Sequence, residues 1–302
     1  MKKKINIEYL NEGDLVAIAF VAKYIDIEMC DFAVQYFKKE GLNILGENKS
    51  TLNRNGMFSG SDSDRITHFQ SLIDNKKLKA IFFARGGYGS VRIIDRLNFH
   101  NFFINPKWLV GFSDTTTFLS HLNTKHQVPV VHAPMVYNFP KSSEASLSML
   151  FSGLKGKLET IKIKGHPLNR KGNVESEIIG GNLSILCSLV GSKSFPAVEN
   201  KILFIEDVDE YIYSIDRMLF TLNRANVFSK LSGLIIGQFT KISDNNPKFG
   251  SSLKEIIHDH IKDYNFPVCF DFPSGHVENN LPIFFQKKVR LNVDNEVKLD
   301  YK

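Results

Sequence analysis

Three polar residues stand where apolar, strand-like runs end, and their types are those of a hydrolytic triad. Ser113 follows "WLVGF", Glu206 follows "ILFI", and His276 follows "FPVCFDF" behind a Pro-Ser-Gly turn. A serine nucleophile needs a histidine to take its proton, and a carboxylate orients that histidine and stabilises its cationic form. The order Ser, Glu, His along the chain is one in which such triads occur.

Each of these residues also has a simpler interpretation. Ser113 could cap a helix by accepting from the N–H of Thr115 or Thr116, and Thr115 stands where a nucleophile turn usually has a second glycine. Glu206 could be a solvated loop acid, and His276 a structural loop histidine. Because strand ends of a parallel sheet lie near one another, the coincidence of all three favours the triad.

A glycine-rich turn, "ARGGYGS", follows another apolar run and contains Gly86, Gly87 and Gly89. Glycines let the main chain approach a ligand closely, so the N–H groups of this turn could bind an anion or complete an oxyanion hole. The alternative is a tight turn without a ligand. A dinucleotide fingerprint fits poorly, because counting from Gly87 it would need glycine or alanine at Arg92.

The sequence offers no metal-binding pattern. His258 and His260 are two residues apart on a predicted helix, so they point in different directions, and no cysteine or histidine pair has ligand spacing. We expect neither a metal nor another cofactor. Cys30, Cys187 and Cys269 lie far apart in apolar surroundings, which is typical of buried reduced thiols.

The elements that must position these residues alternate between strand and helix. Strands are predicted at "DLVAIAFVA", "LNILGEN", "LKAIFFA" and "WLVGF", and helices over residues 29–41, over residues 61–75 with Ser61 or Ser63 as cap, and over "VRIIDRL". This alternation predicts an α/β fold with a mostly parallel sheet, in which ligands bind beyond the carboxyl ends of the strands.

The pattern changes along the chain and predicts two domains. Residues 1–140 form the α/β domain that carries Ser113. Residues 141–177 are irregular and lysine-rich, as in a linker. Residues 178–302 alternate strand and helix and then become mostly strand, which predicts a smaller mixed α/β, β-rich domain that carries Glu206 and His276.

Composition excludes several classes of protein. The chain has 302 residues, 43% of them apolar, and a net charge of +6 from scattered lysines with small clusters such as Lys2–Lys4. No nucleic-acid-binding module accompanies those lysines. The sequence has no run of about 18 apolar residues, so we expect no membrane span. Acidic residues interrupt the N-terminal segment, so we expect no signal peptide there. We expect a cytoplasmic protein.

Seven motifs in the same order resemble those of the LD-carboxypeptidases, a serine peptidase family that also includes the microcin C immunity peptidases. They are "FSGSDSDR", "KAIFFARGGYGSVRIIDRL", "LVGFSDTTTF", "HAPM", "GGNLSIL", "ILFIEDVDEYIYSIDRML" and "PSGH". The matching motifs extend over nearly the whole chain.

This resemblance implies a flavodoxin-like N-terminal domain, a smaller C-terminal domain, and a site in the cleft between them, often in a homodimer. It implies a cytoplasmic peptidase that removes D-alanine from a murein tetrapeptide. The family's nucleophile falls on Ser113, its acid on Glu206 and its base on His276. Its oxyanion hole falls on the N–H groups of Asp114 and Gly87.

Substrate recognition is less closely defined. Arg85 and Gly86 are the candidate substrate-binding residues, with Arg85 either a clamp for the terminal carboxylate or part of a structural ion pair. Three departures from the family pattern concern substrate preference: Ala133 in "HAPM", Asp209 after "EDV", and "FVAKYI" at the first strand exit.

Two other functions stay open. An immunity-type peptidase would cleave a peptidyl or aminoacyl nucleotide, but the compact length of the chain favours the small murein peptide. A non-enzymatic module would bind a phosphorylated or sugar ligand through "RGGYGS". That alternative leaves the coincidence of Ser113, Glu206 and His276 unexplained.

Overall fold

The computed structural model describes residues 5–46 and 53–302, apart from the side chains of residues 124–126. The Lys2–Lys4 cluster and the end of the predicted strand "LNILGEN" lie outside the described residues. The helices are α1 (Asp31–Lys39), α2 (Asp62–Asp74), α3 (His100–Ile104), α4 (Thr116–His126), α5 (Glu144–Leu154), α6 (Leu183–Leu189), α7 (Ile212–Arg224) and α8 (Leu253–Ile261).

The strands form two large sheets and one small hairpin. They are β1 (Leu15–Ala19), β2 (Asn43–Ile44), β3 (Arg54–Asn55), β4 (Phe58–Ser59), β5 (Leu78–Phe83), β6 (Trp108–Gly111), β7 (Val130–His132), β8 (Ile161–Lys164), β9 (Gly172–Asn182), β10 (Ile202–Val208), β11 (Gly233–Thr240), β12 (Val268–Cys269), β13 (Ile283–Phe285), β14 (Lys288–Val293) and β15 (Glu296–Tyr301).

The first sheet confirms the predicted parallel α/β architecture. Its strands β2, β1, β5, β6 and β7 lie side by side in that order and run parallel. Counted along the chain this is the order 2-1-3-4-5 of flavodoxin-like folds. Helix α2 begins at the predicted cap Ser61, whose side chain accepts from the N–H of Asp64 in a capping box.

The second sheet is mixed, as predicted for the C-terminal half. Strands β12, β11, β10 and β9 run parallel, and β14, β15 and β8 continue the sheet in antiparallel pairs. Glu206 lies near the carboxyl end of a central strand, β10, which pairs with β9 and β11.

The segment 141–177 differs from the expected irregular linker. It contains α5, whose Leu147, Leu150, Phe151 and Leu154 lie in the main core, and it contributes β8 and most of β9 to the second sheet. Strand β13, from the C-terminal part, pairs antiparallel with β7 in the first sheet. One core cluster thus joins residues of both sheets, and the division into two domains at these boundaries stays a prediction.

Two features bear on the excluded classes. Within the described residues, no helix has both the length and the apolar sequence that a membrane crossing requires. The three cysteines are free, and burial raises the pKa of each thiol to about 12, so none of them is a thiolate near neutral pH.

Candidate active site

The turn after β6 holds Ser113 in a left-handed backbone conformation. Its φ is 59°, a value that costs a residue with a side chain of order 1–3 kcal/mol and that clusters at functional turns. The capping interpretation of Ser113 is wrong. The N–H of Thr115 donates to Phe112 O at 3.2 Å, and the N–H of Thr116 donates to main-chain oxygens. The Ser113 hydroxyl is not used to begin the helix.

Neighbouring residues explain how the turn forms without a second glycine after Ser113. The Thr115 hydroxyl donates to Phe112 O at 2.9 Å and closes the turn. A Cβ on Gly111 would lie 2.6 Å from Thr115 Oγ1, and a Cβ on Gly86 would lie 3.2 Å from Ser113 Oγ. Gly86, in the turn after β5, thus has the role that a second glycine usually has: without a side chain, it lets the two turns lie close together.

Glu206 and His276 form an acid–histidine pair in which the acid is buried and the histidine is partly exposed. Glu206 Oε2 lies 2.7 Å from His276 Nδ1, and the Glu206 side chain is fully buried. Gly275, at φ 132°, permits this contact, because a Cβ there would lie 3.1 Å from Glu206 Oε2. The His276 ring packs on Phe112, with 4.7 Å between ring centroids. The pair therefore lies beside the residue that precedes Ser113.

Two histidines lie near Glu206, and their electrostatics differ. Burial alone would lower the pKa of His276, but the carboxylates of Glu206 and Asp207 outweigh it, so this pKa is raised. Burial lowers the pKa of His132 to about 4, and neither of its ring nitrogens has a hydrogen-bond partner among the described residues. Of these two histidines, His276 is the one with the contact and the charge balance of a general base.

The glycine turn is fastened to the Ser113 turn through Asp114. Asp114 Oδ2 accepts from Ser90 N at 3.0 Å and from Ser90 Oγ at 2.7 Å. Arg65 donates to Gly89 O at 3.0 Å from the other side. Two short 3₁₀ turns follow, at 90–92 and 94–96, where an α-helix was expected. The missing helix also argues against a dinucleotide site.

Removing the Ser90 hydroxyl is expected to destabilise this arrangement. In Ser90→Ala the buried Asp114 carboxylate loses one of its donors, which should lower the free energy of unfolding by about 1–3 kcal/mol. Urea denaturation measures the change. Ser188→Ala, which removes an exposed hydroxyl bonded within α6, is the control and should change stability far less. Equal stability of Ser90→Ala and the wild type would contradict this role.

Arg85 lies at the edge of the site without an ionic partner among the described residues. Its Nη1 donates to Tyr24 O at 3.1 Å, and its guanidinium stands 4.6 Å from the ring centroid of Tyr137. The expected alternative of a structural ion pair is therefore wrong. A carboxylate clamp at Arg85 stays a prediction.

A cavity of about 400 Å³ opens beside His276. It is bounded by both halves of the chain, with Phe112 and Tyr137 on one side and Val208 and Thr240 on the other. The remaining lining residues are Pro134, Asn138, Lys141, Ser142, Lys241, Val277, Glu278 and Asn280. The cavity lining thus combines apolar side chains with two cationic side chains and one anionic side chain.

The three departures from the family pattern lie near this cavity or the glycine turn. Ala133 is fully buried next to Pro134, a cavity residue. Asp209 follows the cavity residue Val208 and has φ 61°, a conformation that glycine adopts freely and aspartate tolerates. The Lys23 side chain lies against Gly87, where a Cβ would meet Lys23 Cδ at 2.5 Å.

The structure brings together some predicted site residues directly and others only through neighbours. Glu206 contacts His276, and Gly86 faces Ser113 and the N–H of Asp114. Ser113 Oγ and His276 make no hydrogen bond in the described chain, and catalytic contacts often tighten only when substrate binds. The sequence did not predict Ser90, Arg65, Asn182 or Asp207 as supports, although "FSGSDSDR" and "GGNLSIL" mark two of the segments that contain them.

Comparisons with known proteins identify the family and the fold of the chain. Residues 14–133 match the family description "LD-carboxypeptidase N-terminal domain", and residues 175–291 match "LD-carboxypeptidase C-terminal domain". The solved structure of a muramoyltetrapeptide carboxypeptidase from Oxalobacter formigenes superposes with a TM-score of 0.87 at 23% identity, covering 95% of this chain and 98% of that one. That likeness shows a shared fold.

Three curated relatives are similar over most of their length. A probable murein peptide carboxypeptidase of Bacillus subtilis is 28% identical over 94% of this chain and 90% of its own. The microcin C7 self-immunity protein MccF of Escherichia coli is 26% identical, over 87% and 85%. A putative carboxypeptidase of Synechocystis is 30% identical over 80% of this chain and 79% of its own. With both halves matched in order and this identity over most of its length, the chain belongs to the LD-carboxypeptidase family.

Proposed function

We propose that the chain is a serine carboxypeptidase that hydrolyses an L,D-peptide bond and releases the terminal D-alanine of a murein tetrapeptide. The observation that carries this proposal is the Glu206–His276 pair, 2.7 Å apart, which packs through His276 on Phe112, the residue before the strained turn at Ser113, beside a cavity lined by His276 and Phe112. The names of the murein peptide carboxypeptidases among its relatives support the substrate class.

The proposed reaction proceeds in two steps. His276 takes the proton of Ser113, and Ser113 Oγ attacks the carbonyl that precedes the terminal D-residue. The N–H groups of Asp114 and Gly87 hold the oxyanion, His276 returns the proton to the leaving amine, and D-alanine departs. Water, deprotonated by His276, then attacks the acyl-enzyme and restores Ser113. Glu206 stabilises the His276 cation in both steps.

Substrate binding is assigned to the cavity beside His276. A carboxypeptidase must hold the terminal carboxylate of its substrate. Three cations could bind carboxylates here: Arg85, which lies over Tyr137, and the cavity-lining Lys141 and Lys241. Gly86 is also assigned to substrate binding, because without a side chain it leaves room for substrate to approach Ser113.

Neutralising Lys241 is expected to weaken substrate binding. Lys241→Gln should raise KM for a murein tetrapeptide by about tenfold with a smaller change in kcat, because a charge-assisted bond to a carboxylate contributes about 1.5–3 kcal/mol. Steady-state kinetics measures both constants. Lys298→Gln on β15 removes a lysine that does not line the cavity and is the control. An unchanged KM in Lys241→Gln would show that this lysine does not contact substrate.

An immunity-type activity on an aminoacyl nucleotide is the second candidate, because the similarity to MccF extends over most of the chain. The purified protein should be incubated with a murein tetrapeptide ending in D-alanine and, in a separate reaction, with its L-alanine isomer. A third reaction contains the D-alanine peptide together with a non-hydrolysed aminoacyl nucleotide analogue as competitor. The proposal predicts release of D-alanine only, without strong competition. Failure to release D-alanine would reject it, and tight competition would favour the second candidate.

A homodimer and a cytoplasmic location stay predictions of the family resemblance. Sedimentation equilibrium over a range of concentrations decides the first of them. A mass of one chain at all concentrations would reject the dimer.

A further inference from the structure

A buried set of polar side chains links the two sheets behind the proposed active site. Its members are Thr116 in α4, Asn182 at the end of β9, and Asp207 at the end of β10, and we name this set the polar tether. All three are at most 3% exposed. Ser113 lies three residues before Thr116, and Glu206 immediately precedes Asp207, so the tether runs between the two parts of the site.

Two hydrogen bonds make the connection. Asn182 N donates to Thr116 Oγ1 at 3.2 Å, and Asn182 Nδ2 donates to Asp207 Oδ1 at 2.8 Å. Asp207 Oδ2 accepts from Ser184 N at 2.9 Å. These two hydrogen bonds in series thus connect helix α4, which follows β6 of the first sheet, to strand β10, which carries Glu206.

Close packing makes this contact specific. Gly181, at φ 133°, lies against Thr116, and a Cβ there would come within 2.7 Å of the Thr116 side chain. Asn182 is also paired with Glu206 in the β9–β10 register. The tether therefore fixes the distance between α4 and β10 at the level of the site.

We propose that the polar tether sets the position of Ser113 relative to the Glu206–His276 pair, with Thr116 and Asp207 as positioning residues for the hydrolysis. The inference rests on the proposed function for its substrate. Misplacement of reacting groups by about 1 Å can slow a reaction by about 100-fold, so a tether that spans the two sheets directly affects the rate.

Variants of Thr116 and its neighbour test the proposal. Thr116→Val keeps the shape and removes the acceptor, and should lower kcat for D-alanine release by about 10- to 100-fold with KM changed by less than about twofold. Thr116→Ser keeps the hydroxyl and should recover most of the rate. Thr117→Val is the matched control, since the buried Thr117 hydroxyl has no hydrogen-bond partner within the described part of the chain, and it should match the wild type.

A double-variant cycle shows whether both ends act together. Asp207→Ala removes the oxygen that accepts from Asn182 Nδ2. If Thr116→Val and Asp207→Ala break the same tether, the double variant should be no slower than the slower single variant. The proposal is overturned if Thr116→Val retains the wild-type kcat, if Thr117→Val is equally slow, or if the two variants act independently.

A serine-reactive fluorophosphonate separates this inference from the proposed substrate. Thr116→Val should also slow labelling of Ser113 by about tenfold or more, because labelling needs His276 in place. If the wild type is labelled at Ser113 but releases no D-alanine, the proposed substrate is rejected. The labelling rates of the wild type and Thr116→Val then test the tether on their own. Wild-type protein that shows neither reaction rejects both proposals.

Discussion

Replacing Ser113 with alanine is expected to slow D-alanine release by about 10⁴-fold or more, because loss of the nucleophile of such a triad removes nearly all covalent catalysis. Release of free D-alanine from a murein tetrapeptide, followed by mass spectrometry, measures the effect. The variant should fold as the wild type does, since Ser113 Oγ makes no hydrogen bond in the described chain.

A glycine at the same position separates catalysis from folding. Ser113→Gly should be as inactive as the alanine variant but more stable than the wild type by about 1 kcal/mol, because glycine adopts a left-handed conformation without strain from a Cβ. Substantial D-alanine release by either variant would reject Ser113 as the nucleophile.

Replacing Glu206 with glutamine should change both the rate and its pH dependence. Burial lowers the pKa of His276, and the neighbouring carboxylates raise it above its usual value. Without the Glu206 carboxylate the effect of burial prevails, so the pKa of His276 falls. A histidine base acts only when neutral, so the acid limb of the kcat/KM profile should move to lower pH.

The rate on the plateau of that profile should fall by as much as about 10⁴-fold, because the acid also holds the correct tautomer and stabilises the histidine cation. The control is Glu278→Gln, which removes an exposed carboxylate from the same cavity without contacting Nδ1 of His276, and its acid limb should move far less. An acid limb that stays in place in Glu206→Gln would mean that another group titrates there.

The sequence predicted the parallel sheet because its central strands are buried on both faces and therefore appear as continuous apolar runs. The positions of Ser113, Glu206 and His276 followed from the same signal, since each stands just beyond such a run. The left-handed turn at Ser113 could not be predicted, because it depends on Gly86 and Gly111 packing against it. A local pattern alone therefore favoured a helix cap.

Helix α5 was missed although its signal is present. Ser143 caps it, and Leu147, Leu150, Phe151 and Leu154 have helical spacing. The surrounding lysines suggested a linker, but the apolar face of the helix packs into the main core. Local periodicity was the better guide there.

The closing β-rich run that contains strand β13 was predicted, but neither the pairing of β13 nor the contacts of the polar tether had a local signal. Strand β13 has three residues and pairs with β7, about 150 positions earlier in the chain, so its place depends on tertiary packing. The hydrogen bonds of Asn182 with Thr116 and Asp207 also connect residues far apart in the sequence. Their contacts are therefore visible only in the folded chain.

The most direct test of the central claim, a Ser–His–Glu site at Ser113, is to map which residue a small fluorophosphonate modifies in the wild type and in His276→Ala. The account predicts modification of Ser113 in the wild type, with a rate that rises with pH as His276 loses its proton, and little modification in the variant. Modification at a different residue, or equally fast labelling of Ser113 without His276, would contradict it.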